Sequence, residues 1–193
     1  MAGLAEAIGY EPRTAPGELA LVHAFLNTWH ADGPRERLES PERLRDWLVK
    51  RSLLAPAARV SVAEFEGVRR LRDGLRRLIG TPADGVAAAE LEAINRLGRK
   101  MPLVVQFDAA GNPRLEPGGS GVQIAVARIL AGIAAGRIEG TWPRLKLCRN
   151  VGCQRIFYDT SKNHSAIWCS SQICGNRMHA RAHRARAHRD GEA

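Results

Sequence analysis

The chain is poor in aromatic residues (5%), has only four cysteines and lacks a long apolar run, and each shortage excludes something. The best candidate for a membrane span, residues 124–135, is interrupted by Arg128 and falls short of the roughly 20 apolar residues a crossing helix needs. No membrane partner is expected. The opening stretch MAGLAEAIGYEPRTAPG has no basic segment followed by an apolar core, so no secretory leader is visible and a cytoplasmic location is expected. In that compartment thiols stay reduced. Acidic residues are scarce late in the chain: residues 144–193 carry 10 Lys+Arg against 3 Asp+Glu, whereas residues 1–143 carry 19 against 17. Of the formal net charge of +9, +7 thus lies in the last quarter. A positive field so localised attracts polyanions, and nucleic acid is the commonest of them in a cytoplasm. Recognisable catalytic devices are missing too. No nucleophile elbow or paired-carboxylate site is visible, and Gly118-Gly119-Ser120-Gly121 lacks both the preceding long strand and the lysine of a phosphate loop.

What is present is concentrated in residues 147–189, which hold all four cysteines: Cys148 and Cys153, a fifteen-residue interval, then Cys169 and Cys174. Two close pairs at that separation suit a tetrahedral zinc site, each pair forming a knuckle and the interval returning the chain through a hairpin. Four thiolates close the coordination sphere, so one structural zinc ion is expected rather than a catalytic one. Two disulfides or four free buried thiols are the alternatives. The reduced compartment argues against the first, and the clustering in pairs against the second. His164, inside the interval, could replace a sulfur, although a solvated loop position suits it better. Residues 155–158 read as a strand leaving the first knuckle, residues 159–163 as a turn and residues 166–168 as the returning strand, with Cys174 in the first turn of a helix. This is the order of a treble-clef or ribbon finger, in which the metal supplies folding energy that few apolar residues cannot.

The first 140 residues read as mainly helical. Leu19, Val22, Phe25, Leu26 and Trp29 recur at helical steps and predict an amphipathic helix from Glu18 to about Asp32-Gly33-Pro34. Asn27 and Thr28 are poor interior helix formers, so with His23 they are candidates for hydrogen bonding to backbone or to a ligand. Ser40-Pro41 opens a second helix carrying Leu44, Trp47 and Leu48. Ser61 and Glu64 form a capping box for a third, whose apolar face is Phe65, Val68, Leu71, Leu75, Leu78 and Ile79, with Arg69, Arg70, Arg72, Arg76 and Arg77 expected largely on the solvated face. A helix over residues 84–97, with Leu91, Ile94 and Leu97 inward, precedes a hairpin built on residues 103–107. A second capping box, Ser120 with Gln123, is expected to open the last long helix. The fold class is therefore mainly α (α+β). A helical domain of residues 1–140 with one small hairpin is followed by a zinc finger of residues 144–189 with a basic helix, the boundary marked by Trp142-Pro143.

Past Cys174 the chain reads GNRMHARAHRARAHR. Alanine spacers favour helix, and Arg177, Arg181, Arg184 and His188 fall along one stripe. Duplex DNA is the expected partner. RNA is less suited, because Phe157, Tyr158 and Trp168 are needed for the finger's small core and are not free to stack bases.

These residues carry a resemblance. Cys174-Gly175-Asn176-Arg177, Phe157-Tyr158-Asp159-x-Ser161-Lys162 and Trp168-Cys169 resemble the CGNR zinc finger. Upstream, Asn27-Thr28, the Trp47-Leu48 helix and the arginine-rich helix from Ser61 are similar to the ABATE domain, which precedes that finger in its family. The resemblance implies a bacterial-type, stress-induced transcription regulator. The chain departs from the family pattern at His23, at Ala166-Ile167 and at His179, positions where charged residues are usual, and these changes shift positive charge from the finger to the tail. The resulting expectation is a DNA-binding regulator, not an enzyme. Cys148, Cys153, Cys169 and Cys174 hold zinc, Asn176 and Arg177 begin the helix that approaches DNA, and Arg181, Arg184, Arg186 and Arg189 contact phosphate. The helical domain would sense a small-molecule effector through His23, Asn27 and Thr28 or mediate homodimerisation. Rival readings are a protein-interaction finger, or an enzyme built on His23, Asn27 and His30.

Overall fold

The computed structural model describes residues 14–32, 35–81, 85 and 87–190, the side chains of residues 189 and 190 excepted. Its elements run α1 (Leu19–Leu26), α2 (Pro41–Val49), α3 (Val62–Gly80), α4 (Ala88–Gly98), β1 (Leu103–Phe107), β2 (Pro113–Pro117), α5 (Val122–Ile138), a 3-10 turn (Trp142–Arg144), β3 (Leu145–Leu147), β4 (Ile156–Tyr158), a π-type turn (Ser171–Gly175) and α6 (Asn176–Asp190). The fold is mainly α with two antiparallel hairpins, β1–β2 and β3–β4. Among the described residues no helix is long and apolar enough to cross a membrane.

Local signals explain several helix starts. The Ser40 hydroxyl caps α2 by accepting from the Arg43 amide at 3.3 Å, with proline in the first turn. At α3 the capping box is complete: the Ser61 hydroxyl accepts from the Glu64 amide, and the Glu64 carboxylate accepts from the Ser61 amide at 2.8 Å. The expected box at Ser120 does not form. Gly121 enters α5 with φ of 56° and no side-chain cap, and the Gln123 amide donates instead to the Ser120 carbonyl. Here a glycine in a conformation that L side chains rarely adopt replaces the cap.

α1 is shorter than its apolar spacing predicts. It stops at Leu26, and Trp29 pairs across an isolated bridge with Glu36. The Thr28 hydroxyl donates to the Phe25 carbonyl at 2.8 Å, and the Asn27 side chain is committed elsewhere. α1 and α5 cross closely because Gly132 and Gly136 face α1; a Cβ on Gly132 would meet the Glu18 carbonyl oxygen at 2.9 Å. In α4 the expected inward residues are only partly buried, and Leu91 is exposed. Asp84, the expected start of that helix, lies outside the described residues, as do Gly33 and Pro34.

One apolar cluster joins the helices to the β3–β4 ribbon. Val22, Phe25, Leu26, Leu44, Leu48, Leu71 and Ile129 share it with Leu145 and Ile156 from β3 and β4. The hairpin that would carry the finger is therefore seated on the helices, and its knuckle is tied to them as well, the Ala31 amide donating to the Cys153 carbonyl at 2.9 Å. A second, small cluster surrounds the cysteines: Cys148, Cys153, Cys174 and Phe157, flanked by Ala166 and Trp168.

Candidate metal centre and basic helix

β3 and β4 pair through Leu145↔Tyr158, Lys146↔Phe157 and Leu147↔Ile156, and Cys148 and Cys153 close the end of this ribbon. The Cys148 amide donates to the Arg155 carbonyl at 2.9 Å, and both Cys153 and Gln154 amides donate to the Asn150 carbonyl. Gln154 at φ 51° completes the tight return. This is a zinc knuckle, but its partner strand differs from expectation. Residues 166–168 form no strand; they run irregularly beside the knuckle, the Arg149 amide donating to the Ile167 carbonyl. The pairing strand is β3, upstream of the first cysteine.

Cys169 and Cys174 come from the far side. The Ser170 hydroxyl accepts from the Ile173 amide and opens the π-type turn that holds Cys174, from which α6 continues. All four sulfurs lie within 4.8 Å of one another, with Cys153–Cys169 at 3.7 Å and Cys169–Cys174 at 3.6 Å. A tetrahedron with Zn–S bonds of about 2.3 Å has S···S edges of about 3.8 Å, so the cage already has the size of the ion. Three of the cysteines are buried. Packed together without a cation, the thiols cannot all ionise. Hydrogen bonds from Cys153 and its neighbours pull Cys148 down, while the same crowding pushes Cys169 up. A divalent cation removes that conflict by letting all four ionise. The chain holds one structural zinc ion here. His164 is not a ligand, for the cluster contains cysteines alone.

Supporting contacts hold the cage. Asp159, its side chain fully buried, pairs with Lys146 at 2.6 Å and accepts from the Ser161 and Ala166 amides at 2.8 and 3.1 Å. Lys146 also donates to the carbonyls of His164 and Ala166, tying the interval between the cysteine pairs to β3. Burial raises the Asp159 pKa, but the bonds from Lys146 and Ser161 outweigh it and hold the carboxyl at about 2. At Gly175 a Cβ would meet the Trp168 ring at 3.3 Å, so the glycine lets the indole lie on the start of α6. Sequence reasoning passed over the Lys146–Asp159 pair, although an Asp with a serine two residues on is a recognisable turn signal.

α6 leaves this cage with its charge outward. Asn176, Arg177, Arg181, Arg184 and Arg186 are all exposed. Arg177 sits 3.6 Å from Asp32; among the described residues Arg181, Arg184 and Arg186 have no ion-pair partner. The Arg189 side chain lies outside the described residues.

The upstream candidates lead to the same ribbon. The Asn27 side chain pairs with the backbone of Ile156 like a neighbouring strand, donating to its carbonyl at 2.8 Å and accepting from its amide at 2.9 Å. His23 Nε2 donates to the same carbonyl at 2.9 Å, its Nδ1 facing the Ala15 amide at 3.4 Å. Burial, assisted by Arg155, holds the His23 pKa below its usual value against the opposing pull of that bond, so the ring is neutral at pH 7. Thr28 accepts from Arg72 at 3.2 Å. Their polar atoms are thus engaged within the protein, over 129 residues of sequence in the case of Asn27.

The arginine helix departs furthest from expectation. Arg72, 1% exposed, forms a two-pronged pair with Glu36 at 2.6 and 2.8 Å and reaches Asp73 at 2.9 Å. Arg76, also buried, donates to the carbonyls of Leu26 and Gln154 and lies 4.8 Å from the centre of the Trp29 ring. A solvated face is excluded for both. Arg69, Arg70 and Arg77 are more exposed, as the spacing predicts.

Residues 19–139 match the ABATE family, described as "putative stress-induced transcription regulator", and residues 144–187 match the CGNR zinc finger. Neither is an enzyme family. No curated protein matches the chain.

Proposed function

The chain belongs to the ABATE family and carries a CGNR zinc finger, and from that premise we propose that it is a DNA-binding transcription regulator in which zinc presents α6 to the duplex. The observation that carries the reading is that Arg181, Arg184 and Arg186 are exposed and, among the described residues, without ion-pair partners, on a helix anchored at its start by the metal cage. A helix of 15 residues is about 22 Å long, enough to lie in or across a major groove about 12 Å wide. Arginines along it reach phosphates, which position a protein without reading sequence. Asn176 and Arg177 stand at the cage end, and their amide and guanidinium groups suit adenine and guanine edges. Arg177 must then exchange Asp32 for the base, a modest cost because both side chains are partly solvated.

RNA is less well served. Phe157 is buried, while Trp168 packs against the cage and Gly175, so the finger offers little aromatic face to unstacked bases. The test is duplex affinity against salt. With roughly four to six phosphates neutralised, log K should fall with log salt at a slope of about −4 to −5. Replacing Arg181, Arg184 and Arg186 by glutamine should reduce that slope by about three. Unchanged affinity and slope in that variant would remove α6 from the interface.

A further inference from the structure

Between α3 and the finger's ribbon lies a cleft of about 370 Å³, lined by Trp29 and Arg69 and by Leu147 and Gln154. Arg72, Arg76 and Arg77 also line it, against two carboxylates, Glu36 and Asp73. Those carboxylates are already claimed. Glu36 Oε1 accepts from Arg72 and from the Leu38 amide, and Oε2 accepts from Arg72 with Arg69 3.4 Å away. Asp73 receives Arg72 Nε.

Arg76 is left as a buried guanidinium with no carboxylate among the described residues, bonded only to the Leu26 and Gln154 carbonyls and lying over Trp29. A buried charge in that condition is costly unless something neutralises it. Burial lowers its pKa to about 10, so it stays charged at neutral pH. Arg69 and Arg77 stand at the mouth with side chains 39% and 61% exposed, Arg77 paired with Glu90 outside the lining.

We infer that this cleft is a binding site for a small organic anion, a carboxylate or phosphate monoester on a flat apolar body, with Arg76 supplying the buried charge and Arg69 and Arg77 closing over the anion. The volume suits a ligand of about ten to fifteen heavy atoms, and guanidiniums chelate either oxyanion through paired N–H donors. Leu147 and Gln154 belong to the ribbon that carries the cage, so an occupant touches helices and finger at once. That the anion acts as an effector rests on the regulator reading; the site itself does not.

The experiment is titration calorimetry on the zinc-loaded full chain with three matched probes: benzoate, phenyl phosphate and the neutral benzamide. At least one anion should bind with a Kd of about 1 mM or tighter, and benzamide should not. The stronger anion identifies which oxyanion the cleft prefers. Arg76→Gln should abolish binding. Because that change also removes bonds to two carbonyls, Arg69→Gln/Arg77→Gln is the second variant, expected to fold and to weaken binding about tenfold. Binding should persist in the Arg181→Gln/Arg184→Gln/Arg186→Gln protein, which separates the cleft from α6 and leaves the DNA reading to its own test. Absence of binding by both anions, equal binding by benzamide, or unchanged affinity in the mouth variant would overturn the proposal.

Discussion

Replacing Asn27 with alanine removes the one side chain that pairs with both backbone groups of Ile156, a residue of the finger's ribbon that is fully buried. The Ile156 carbonyl keeps a partner in His23, but its amide is stranded. Two neutral hydrogen bonds contribute roughly 1 kcal/mol each, and an orphaned buried amide costs a further 1–3 kcal/mol or so, giving a destabilisation of about 3–5 kcal/mol. For a chain of this length that lowers Tm by roughly 6–20 °C. Asn27→Asp should be at least as harmful, since a carboxylate accepts from the amide yet cannot donate to the carbonyl. The assay is urea unfolding of zinc-loaded protein, followed in parallel by tryptophan fluorescence and by zinc release to a chromophoric chelator. If the ribbon is latched to α1 as the distances require, both signals move together to lower urea. A loss under about 0.5 kcal/mol in Asn27→Ala, with zinc release unaffected, would refute the reasoning.

Three further outcomes follow from the same contacts. Arg72→Met leaves Glu36 partly buried with only the more exposed Arg69, 3.4 Å away, as a cationic partner and should cost about 3 kcal/mol by thermal unfolding, while the double change with Glu36→Leu should recover much of it; equal loss in single and double variants would deny the pairing. Asp159, held at about pKa 2 when folded, contributes stability that is complete above the unfolded carboxylate value and is lost as pH falls from about 5 towards 2. The gap between wild type and Asp159→Asn should therefore shrink by on the order of 2 kcal/mol over that window, and a gap independent of pH would contradict the assignment. Chelating zinc should destabilise the helices as well as the finger, because Leu145 and Ile156 share the main cluster; calorimetry should show a single transition shifted down, and an unshifted helical transition would deny the coupling.

What was legible in the sequence was short-range. The Ser40 cap and proline of α2, the capping box of α3, the β1–β2 hairpin and the spacing of the cysteines each rest on residues a few positions apart, and the structure reproduces them. Apart from the Ser120–Gln123 box, where Gly121 took the cap position, the failures were long-range. Arg72 and Arg76 sit on what spacing alone calls a solvated face, and only Glu36, Leu26 and Gln154, 36, 50 and 78 residues away, explain their burial. Likewise β3 is three residues long beside an expected domain boundary, too little pattern to outweigh residues 166–168 as the partner of β4. Asn27 was singled out for its poor fit to a helix, but its partner could not be read from one strand of sequence.

Selection of bound duplexes from a genomic fragment library tests most directly the proposal that zinc and α6 make this chain a DNA-reading protein. Zinc-loaded full-length protein and a version ending after Asn176 are each used at low and near-physiological salt. The full-length protein should enrich a defined site, an enrichment weakened by salt and lost on truncation. Enrichment of nothing, or equal retention by the truncated form, would contradict it.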